Sequence, residues 1–331
     1  MILANQQTVI QKGGARESKV IPLKITEPFV SISILIPIYN HNAYDLIKTL
    51  HQYHLDERID VEIICCEDGS SMYLDKNKRI EDIPNCIYYK SKKNKGRSQT
   101  INYMAQKASK DYLLILDCDV LPKNVSFFQR YLNSIQEGNE VIFGGWEYMP
   151  TITKDQNLRW LFGIYREAFT LEQRLKDPYA TTFTSNILIK KSIFNYIQFE
   201  SSLTQYGYED YLFIRNLKQK GIKIHHISNE IYHLNEDYSV DYLDKTKRAM
   251  KNLVYLHKSD FMDIKESRLG NVYAKLRLLK VSFLMDIFHS MFKNSMEKNL
   301  TSKKPSLFIF DIYKTSYFCY QMNKSNKLNK G

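Results

Sequence analysis

Cysteine is scarce in this chain and follows no pairing pattern. The five are Cys65, Cys66, Cys86, Cys118 and Cys319; none form a CxxC and their number is odd. That argues against a disulfide framework and against a structural zinc, and for a reducing compartment. The opening MILANQQTVIQKGG has no cationic start leading into an apolar run, so it does not read as an export signal and a cytoplasmic location is expected. Long hydrophobic runs are also missing. The longest apolar candidate, LLKVSFLMDIFHSMF, is interrupted by Asp286 and His289 and falls short of a membrane span. No segment repeats another, which excludes solenoids and propellers.

What the chain does have is length, aromatics and positive charge. Its 331 residues suffice for one large α/β domain with an appendage, or for two domains. Aromatic residues make up 13%, enough for a sizeable core. The formal net charge of +11 points to an anionic partner: nucleic acid, a membrane face or a phosphorylated substrate. For any single lysine a solvated surface remains the simpler reading.

Residues 1–30 are polar and irregular and read as an arm. SISILIPIYN (31–40), VEIICC (61–66), CIYYK (86–90) and YLLIL (112–116) read as buried strands. Between them, Ala43, Leu46, Ile47, Leu50 and Tyr53 fall on one helical face, and Ile101, Met104, Ala105 and Ala108 on another. Near-continuous apolar strands alternating with amphipathic helices predict a mostly parallel, Rossmann-like sheet flanked by helices. Further on, VIFGGW, NILIKK and KIHHI (223–227) read as strands. The segment 158–176 reads as a helix or a mobile active-site segment. EDYLFIRNLKQKG (209–221) reads as a helix with acids in its first turn, lysines in its last and glycine at its end. The expected organisation is an arm (1–30), an α/β domain (31–240) and a basic, amphipathic helical extension (241–331).

In an open α/β sheet ligands bind beyond the carboxyl ends of the strands, and the polar clusters of this chain sit there. LLILDCDV ends a strand on Asp117 and Asp119. In an extended chain, acids at i and i+2 point the same way, and a divalent cation would relieve their repulsion. A helix cap or a turn is the plainer reading. Glu67-Asp68-Gly69-Ser70 ends the second strand, where an acid could accept from a base or a ribose, or simply form a turn. KSKKNKGR (90–97) places Lys95 and Arg97 at a predicted helix start, either an anion cradle or a solvated loop. Glu209 and Asp210 open a predicted helix whose dipole favours their ionised forms, and an ionised Asp facing a cleft can act as a general base. His233 becomes of interest only beside a metal.

Taken in order, ILIPIYN, CCEDGSS, NKGRSQTIN, LLILDCDV, TSNILIKKSIF, YGYEDYLF and IYHL closely resemble the family 2 glycosyltransferases of the GT-A fold over residues 31 to about 255. The resemblance implies a nucleotide-sugar donor, above all a UDP-sugar, Mn²⁺ or Mg²⁺ as cofactor, and inversion at the anomeric carbon. It implies a nucleotide-sugar site of Pro37, Tyr39, Asn40, Glu67, Asp68, Lys95, Arg97 and Asp117. It further implies metal contact by Asp119, His233 and Asp117, an acceptor contact by Glu209, and Asp210 as the base. Thr184, Ser185 and Asn186 match a segment near the acceptor. The acceptor expected is a saccharide or a lipid-linked saccharide, in polysaccharide or glycan biosynthesis. The C-terminal aromatics and lysines suit peripheral contact with an anionic membrane, or equally packing on the domain or dimerisation. Nucleic acid is not expected as a partner. Two other classes stand as alternatives. A sugar nucleotidyltransferase resembles chains with a glycine-rich, cationic loop after the first strand, where this chain has IPIYNHN. A non-catalytic anion binder would have no use for the aspartates.

Overall fold

The computed structural model describes residues 30–53, 58–150, 155, 157–203, 206–234 and 237–328. The expected N-terminal arm lies outside the described residues but for its last position.

The first half follows the predicted alternation. The elements are β1 (Val30–Ile38), α1 (Tyr44–Tyr53), β2 (Ile59–Asp68), α2 (Leu74–Lys78), β3 (Cys86–Ser91), α3 (Arg97–Lys107) and β4 (Tyr112–Ile115). There follow β5 (Val120–Pro122), α4 (Phe127–Gln136), β6 (Val141–Phe143) and β7 (Trp146–Tyr148). The segment 158–176 resolves into two helices, α5 (Asn157–Arg166) and α6 (Leu171–Lys176), the second opened by a Thr170–Gln173 capping box. Then come β8 (Ile187–Lys190), α7 (Lys191–Tyr196), α8 (Glu209–Gln219), β9 (His225–His226) and β10 (Ile231–His233). The chain ends in four long helices, α9 (Ser239–Lys258), α10 (Arg268–Leu278), α11 (Ser282–Leu300) and α12 (Leu307–Leu328).

Seven strands form the main sheet in the order β3-β2-β1-β4-β8-β6-β9. All neighbours are parallel except β8, which runs antiparallel to β4 and β6. Side chains alternate across β1: Ile32, Ile34, Ile36 and Ile38 enter one core with α1 and α4, while Leu35 enters the other with α3, α7 and α8. Burial on both faces explains why these strands read as unbroken apolar runs. The strand order turns back between β1 and β4, and Leu116 N–H still bonds Leu35 C=O at 3.1 Å. Asp117 therefore emerges at the switch point, where an open sheet leaves a crevice.

A second sheet, β5-β10-β7, has strands of three residues each. These are too short to show a period, so the sheet leaves no trace in the sequence. Of residues 223–227, expected as a strand, only His225 and His226 pair. Antiparallel pairing of β10 with β5 sets His233 opposite Val120, next to Asp119.

The four terminal helices pack on the domain. Leu212 of α8 shares a core with Leu253 of α9 and Phe318 of α12. Leu158 of α5 shares another with Tyr242, Leu300 and Phe310. The boundary expected near 240 falls at the first turn of α9.

Candidate active site

Loops beyond the carboxyl ends of β1, β2 and β4 form the floor of the site. Asn40 has a left-handed backbone, φ 50°, a conformation asparagine tolerates better than most residues. Its Oδ1 accepts from Ser71 N–H at 2.8 Å and Met72 N–H at 3.2 Å. Its own N–H donates to Ser70 Oγ at 2.9 Å. Asn40 thus ties the first loop to the second, while neighbouring Tyr39 is exposed and Pro37 half-buried.

The second loop is built from two carboxylates held tightly. Glu67 is fully buried (0% exposed). Its Oε1 accepts from Asn77 Nδ2 at 2.7 Å and Tyr88 Oη at 3.1 Å. The same Asn77 accepts from Ala43 N–H through Oδ1 at 3.0 Å and donates to His41 C=O at 2.8 Å, so it pins the start of α1. Asp68 accepts from the N–H groups of Lys95 at 2.7 Å and Gly96 at 2.9 Å. It anchors the loop that leads into α3. Gly69 sits at φ +72° with Asn94 N only 2.3 Å from where a Cβ would lie, so a side chain there would drive the two loops apart. The ammonium of Lys95 lies over the ring of Tyr103, 5.9 Å from its centroid.

The third loop carries Asp117 and Asp119. Residues 118 and 119 turn rather than continue the strand, and the two carboxylates take different partners. Cys118 between them packs against the core. Asp117 N–H donates to Ser185 Oγ at 3.0 Å. The Asp117 carboxylate meets the Arg97 guanidinium at 2.8 and 2.9 Å. Burial raises its pKa, and Arg97 only partly offsets this. Asp119 meets His233 instead, with Nε2 3.2 Å from Oδ2. Burial alone would raise the Asp119 pKa, but the imidazole beside it more than reverses that and holds it below the usual carboxylate range. Trp146 and Tyr148 flank the His233 ring at centroid distances of 4.9 and 5.2 Å.

Arg97 then reaches across the site. Its Nη1 contacts Asp210 Oδ1 at 3.0 Å and Thr184 Oγ1 at 2.7 Å. Thr184 Oγ1 itself donates to Asp210 Oδ1. The Oδ2 atom of Asp210 receives only a long contact from Thr184 N–H, at 3.4 Å. Asp210 sits in the first turn of α8, after Tyr208 at φ 72°. Burial, and then the Asp210 charge, push Glu209 up to about 7. Its Oε2 is buried and has no hydrogen-bond partner.

Two further roles follow from the fold. Thr184, noted in the sequence only as part of an acceptor-side segment, is the hydroxyl that fixes Asp210. Glu167, paired with Arg159 Nη1 at 2.7 Å and accepting from Tyr148 Oη, braces the aromatic wall around His233. Arg159 is buried in that pair, and Arg166 pairs with Asp311 on α12 at 3.2 Å.

The profile of glycosyl transferase family 2 matches residues 33–197, from the first strand through α7. The chain belongs to this family. The glycosyltransferase is similar in fold to crystal structures of S. aureus TarS. One, of TarS residues 1–349 in complex with UDP-GlcNAc, aligns at 14% identity and TM-score 0.50, over 90% of this chain and 92% of that one. A longer TarS structure aligns at 14% identity and TM-score 0.51, over 87% of this chain but 55% of its own, so the glycosyltransferase spans about half of that protein. No curated protein sequence matches the chain significantly. The fold is GT-A.

Enzymes of this fold and family generally use a divalent metal, and the donor set can be tested for one. Asp119 and His233 offer a carboxylate oxygen and an imidazole nitrogen in direct contact on neighbouring elements; the carboxylate suits Mn²⁺ or Mg²⁺, and the nitrogen favours Mn²⁺ of the two. No cluster of three or more His, Cys, Asp or Glu occurs among the described residues. The pair fits an ion that takes its other ligands from water and substrate phosphates, as Mg²⁺ commonly does. Asp117 is committed to Arg97.

Proposed function

We propose that this glycosyltransferase moves a hexosyl or N-acetylhexosaminyl group from a nucleotide-sugar, in the first instance a UDP-sugar, to an acceptor hydroxyl with inversion, in polysaccharide or glycan biosynthesis. The observation that carries the reading is Asp210. Its Oδ1 is saturated by Arg97 and Thr184 while Oδ2 is left able to take a proton. A carboxylate anchored by one oxygen and open at the other is oriented for general-base work.

The residues divide the reaction as follows. The loops of Asn40, Asp68 and Lys95 hold the nucleotide, with Tyr39 exposed beside them and Glu67 supporting them from below. Asp119 and His233 would hold a divalent cation, which when bound supplies neutralising charge for the departing diphosphate. Asp210 Oδ2 accepts the proton of the acceptor hydroxyl as that oxygen forms its bond to the anomeric carbon. The bond from that carbon to the diphosphate oxygen breaks on the opposite face, and the nucleoside diphosphate leaves with the electron pair. Glu209, neutral below about pH 7, can donate a hydrogen bond to the acceptor sugar. The transition state is oxocarbenium-like, as in glycoside hydrolysis. The acceptor class favoured is a saccharide or a lipid-linked saccharide.

The S. aureus TarS complex with UDP-GlcNAc supports a UDP-sugar as the first donor to try. The test is turnover of a panel of UDP-, GDP- and dTDP-sugars with Mn²⁺ or with EDTA. Release of a nucleoside diphosphate that depends on metal and on Asp210 supports the reading. Release insensitive to Asp210→Asn refutes the base assignment.

A further inference from the structure

The helices α10 and α11 meet at a corner whose surface differs from the rest of the chain. Lys280, at φ 58°, turns the chain there. Backbone bonds from Lys280 N–H to Arg277 C=O and from Val281 N–H to Leu276 C=O close the end of α10. At this tip Leu278 is 83% exposed and Leu279 68% exposed. Phe283, Leu284, Ile287 and Met291 continue the apolar surface along α11 and are all exposed. Their spacing of i, i+1, i+4 and i+8 puts them on one face, opposite the face that buries His289, Met296 and Leu300. Isolated exposed apolar residues need no explanation, but a contiguous set of this size marks an interaction surface.

The exposed charges carried by these two helices are of one sign; the exposed acids Asp263 and Glu266 lie in the turn before α10. From Arg268 to Lys298 every exposed charged residue is a cation: Arg268, Lys275, Arg277, Lys280, Lys293 and Lys298. The two acids in the stretch, Asp286 and Glu297, are only partly exposed, and Glu297 is engaged by Lys247 at 3.1 Å and Tyr313 at 2.7 Å. Beside the tip lies an open cleft of about 390 Å³, where Arg277 and Lys280 rim a wall of Ile264, Tyr273, Ala274 and Leu278.

We infer that the α10–α11 corner is a docking surface for an anionic phospholipid bilayer, with Leu278 and Leu279 entering the acyl boundary and the surrounding cations meeting lipid phosphates. Apolar residues at a tip with lysine and arginine around them are what interfacial binding requires. The charge pattern decides between this partner and a second copy of the chain. A two-fold contact would bring this surface against itself and set its cations against one another. No helix among the described residues is long and apolar enough to cross a membrane. The other end of α10 is tied to the site. Arg215 of α8 binds Phe261 C=O at 2.7 Å and Glu266 at 3.2 Å, directly before α10. Docking here would set the helix that carries Asp210 at a fixed height over the bilayer, as a lipid-linked acceptor requires. Only that last step rests on the proposed function; the docking does not.

The test is flotation of the full chain with vesicles of phosphatidylglycerol and phosphatidylcholine, and with phosphatidylcholine alone. The chain is expected to float with the anionic vesicles only, and less as salt is raised. A triple Leu278→Ser, Leu279→Ser, Phe283→Ser variant is expected to lose at least about tenfold in vesicle partition. A Lys275→Glu, Arg277→Glu, Lys280→Glu variant should lose a similar amount. Because all six side chains are exposed, the unfolding temperature should not move, and soluble donor turnover, measured in parallel, should stay at the unsubstituted level. Absence of binding to anionic vesicles, or binding that survives both variants, overturns the inference. So does a dimer that the serine variant converts to monomer without any vesicle binding, which would assign the surface to a second copy.

Discussion

The same dipeptide, Glu-Asp, stands at 67–68 and at 209–210, and the fold treats the two aspartates in opposite ways. At the end of β2 Asp68 is consumed by two backbone N–H groups, one on each oxygen. Glu67 before it takes Asn77 and Tyr88 on Oε1 and keeps Oε2 buried without a partner. At the start of α8 Asp210 is anchored through Oδ1 and receives only a long contact on Oδ2, while Glu209 Oε2 is buried without a partner. The first aspartate ties loops together. The second keeps an oxygen for chemistry.

Substitutions should separate the two pairs, and the largest effect is expected at the second. Asp210→Asn keeps the shape and removes the base. Its kcat should fall roughly 10²- to 10⁴-fold, with little change in KM or unfolding temperature, measured by steady-state donor turnover and thermal denaturation. The mirror result is expected at the first pair. Glu67→Ala takes the acceptor from the buried Asn77 amide and from the half-buried Tyr88 hydroxyl. A loss of about 2–4 kcal/mol of stability is expected, read from denaturant unfolding, with turnover per folded molecule far less affected than in Asp210→Asn. If Glu67→Ala were as stable as the parent, the comparison would fail.

Arg97 ties the second pair to the end of β4, since it holds both Asp117 and Asp210. Arg97→Met should cost about 2 kcal/mol, a value between exposed and buried ion pairs because the cluster is partly solvated. It should also reduce turnover, because Asp210 loses its anchor. Arg97→Lys should restore most of the stability and less of the turnover, as a lysine cannot fork between two carboxylates.

The smallest effect concerns pH. Glu209 in the folded state is raised from its ordinary 4.5 to about 7. A raised folded pKa means that protonation favours the native state. The contribution of this group is therefore complete below 4.5 and is lost as pH climbs through about 7. Glu209→Gln should leave stability nearly unchanged at the acid end and make the chain relatively more stable toward the alkaline end, with the gap opening across that window. Parallel unfolding curves at all pH values would show that Glu209 does not titrate there.

Much of this was legible in the sequence, for a physical reason. Strands buried on both faces and helices buried on one leave periodic traces, so β1, β2, β4, α1, α3 and α8 could be read from residue spacing. The acids at strand ends stood out because carboxylates beside apolar runs are unusual. What could not be read depends on contacts between distant residues. Arg97 meets Thr184 across 87 positions and Asp210 across 113, and nothing near Arg97 signals that it faces two acids. The three-residue strands that deliver His233 to Asp119 are too short to carry a period. The extended geometry expected for Asp117 and Asp119 gave way to a turn, which sent each to a different partner. Glu67 looked like a ligand because it borders Asp68, yet its side chain points into the interior.

The central claim is that Asp210 deprotonates an acceptor that displaces the nucleotide in a single step. Product stereochemistry tests this most directly. With the donor and acceptor that the screen identifies, proton NMR of the fresh product reads its anomeric configuration. The account predicts inversion, an α-configured nucleotide-sugar giving a β-linked product. Retention of the donor's configuration would contradict it.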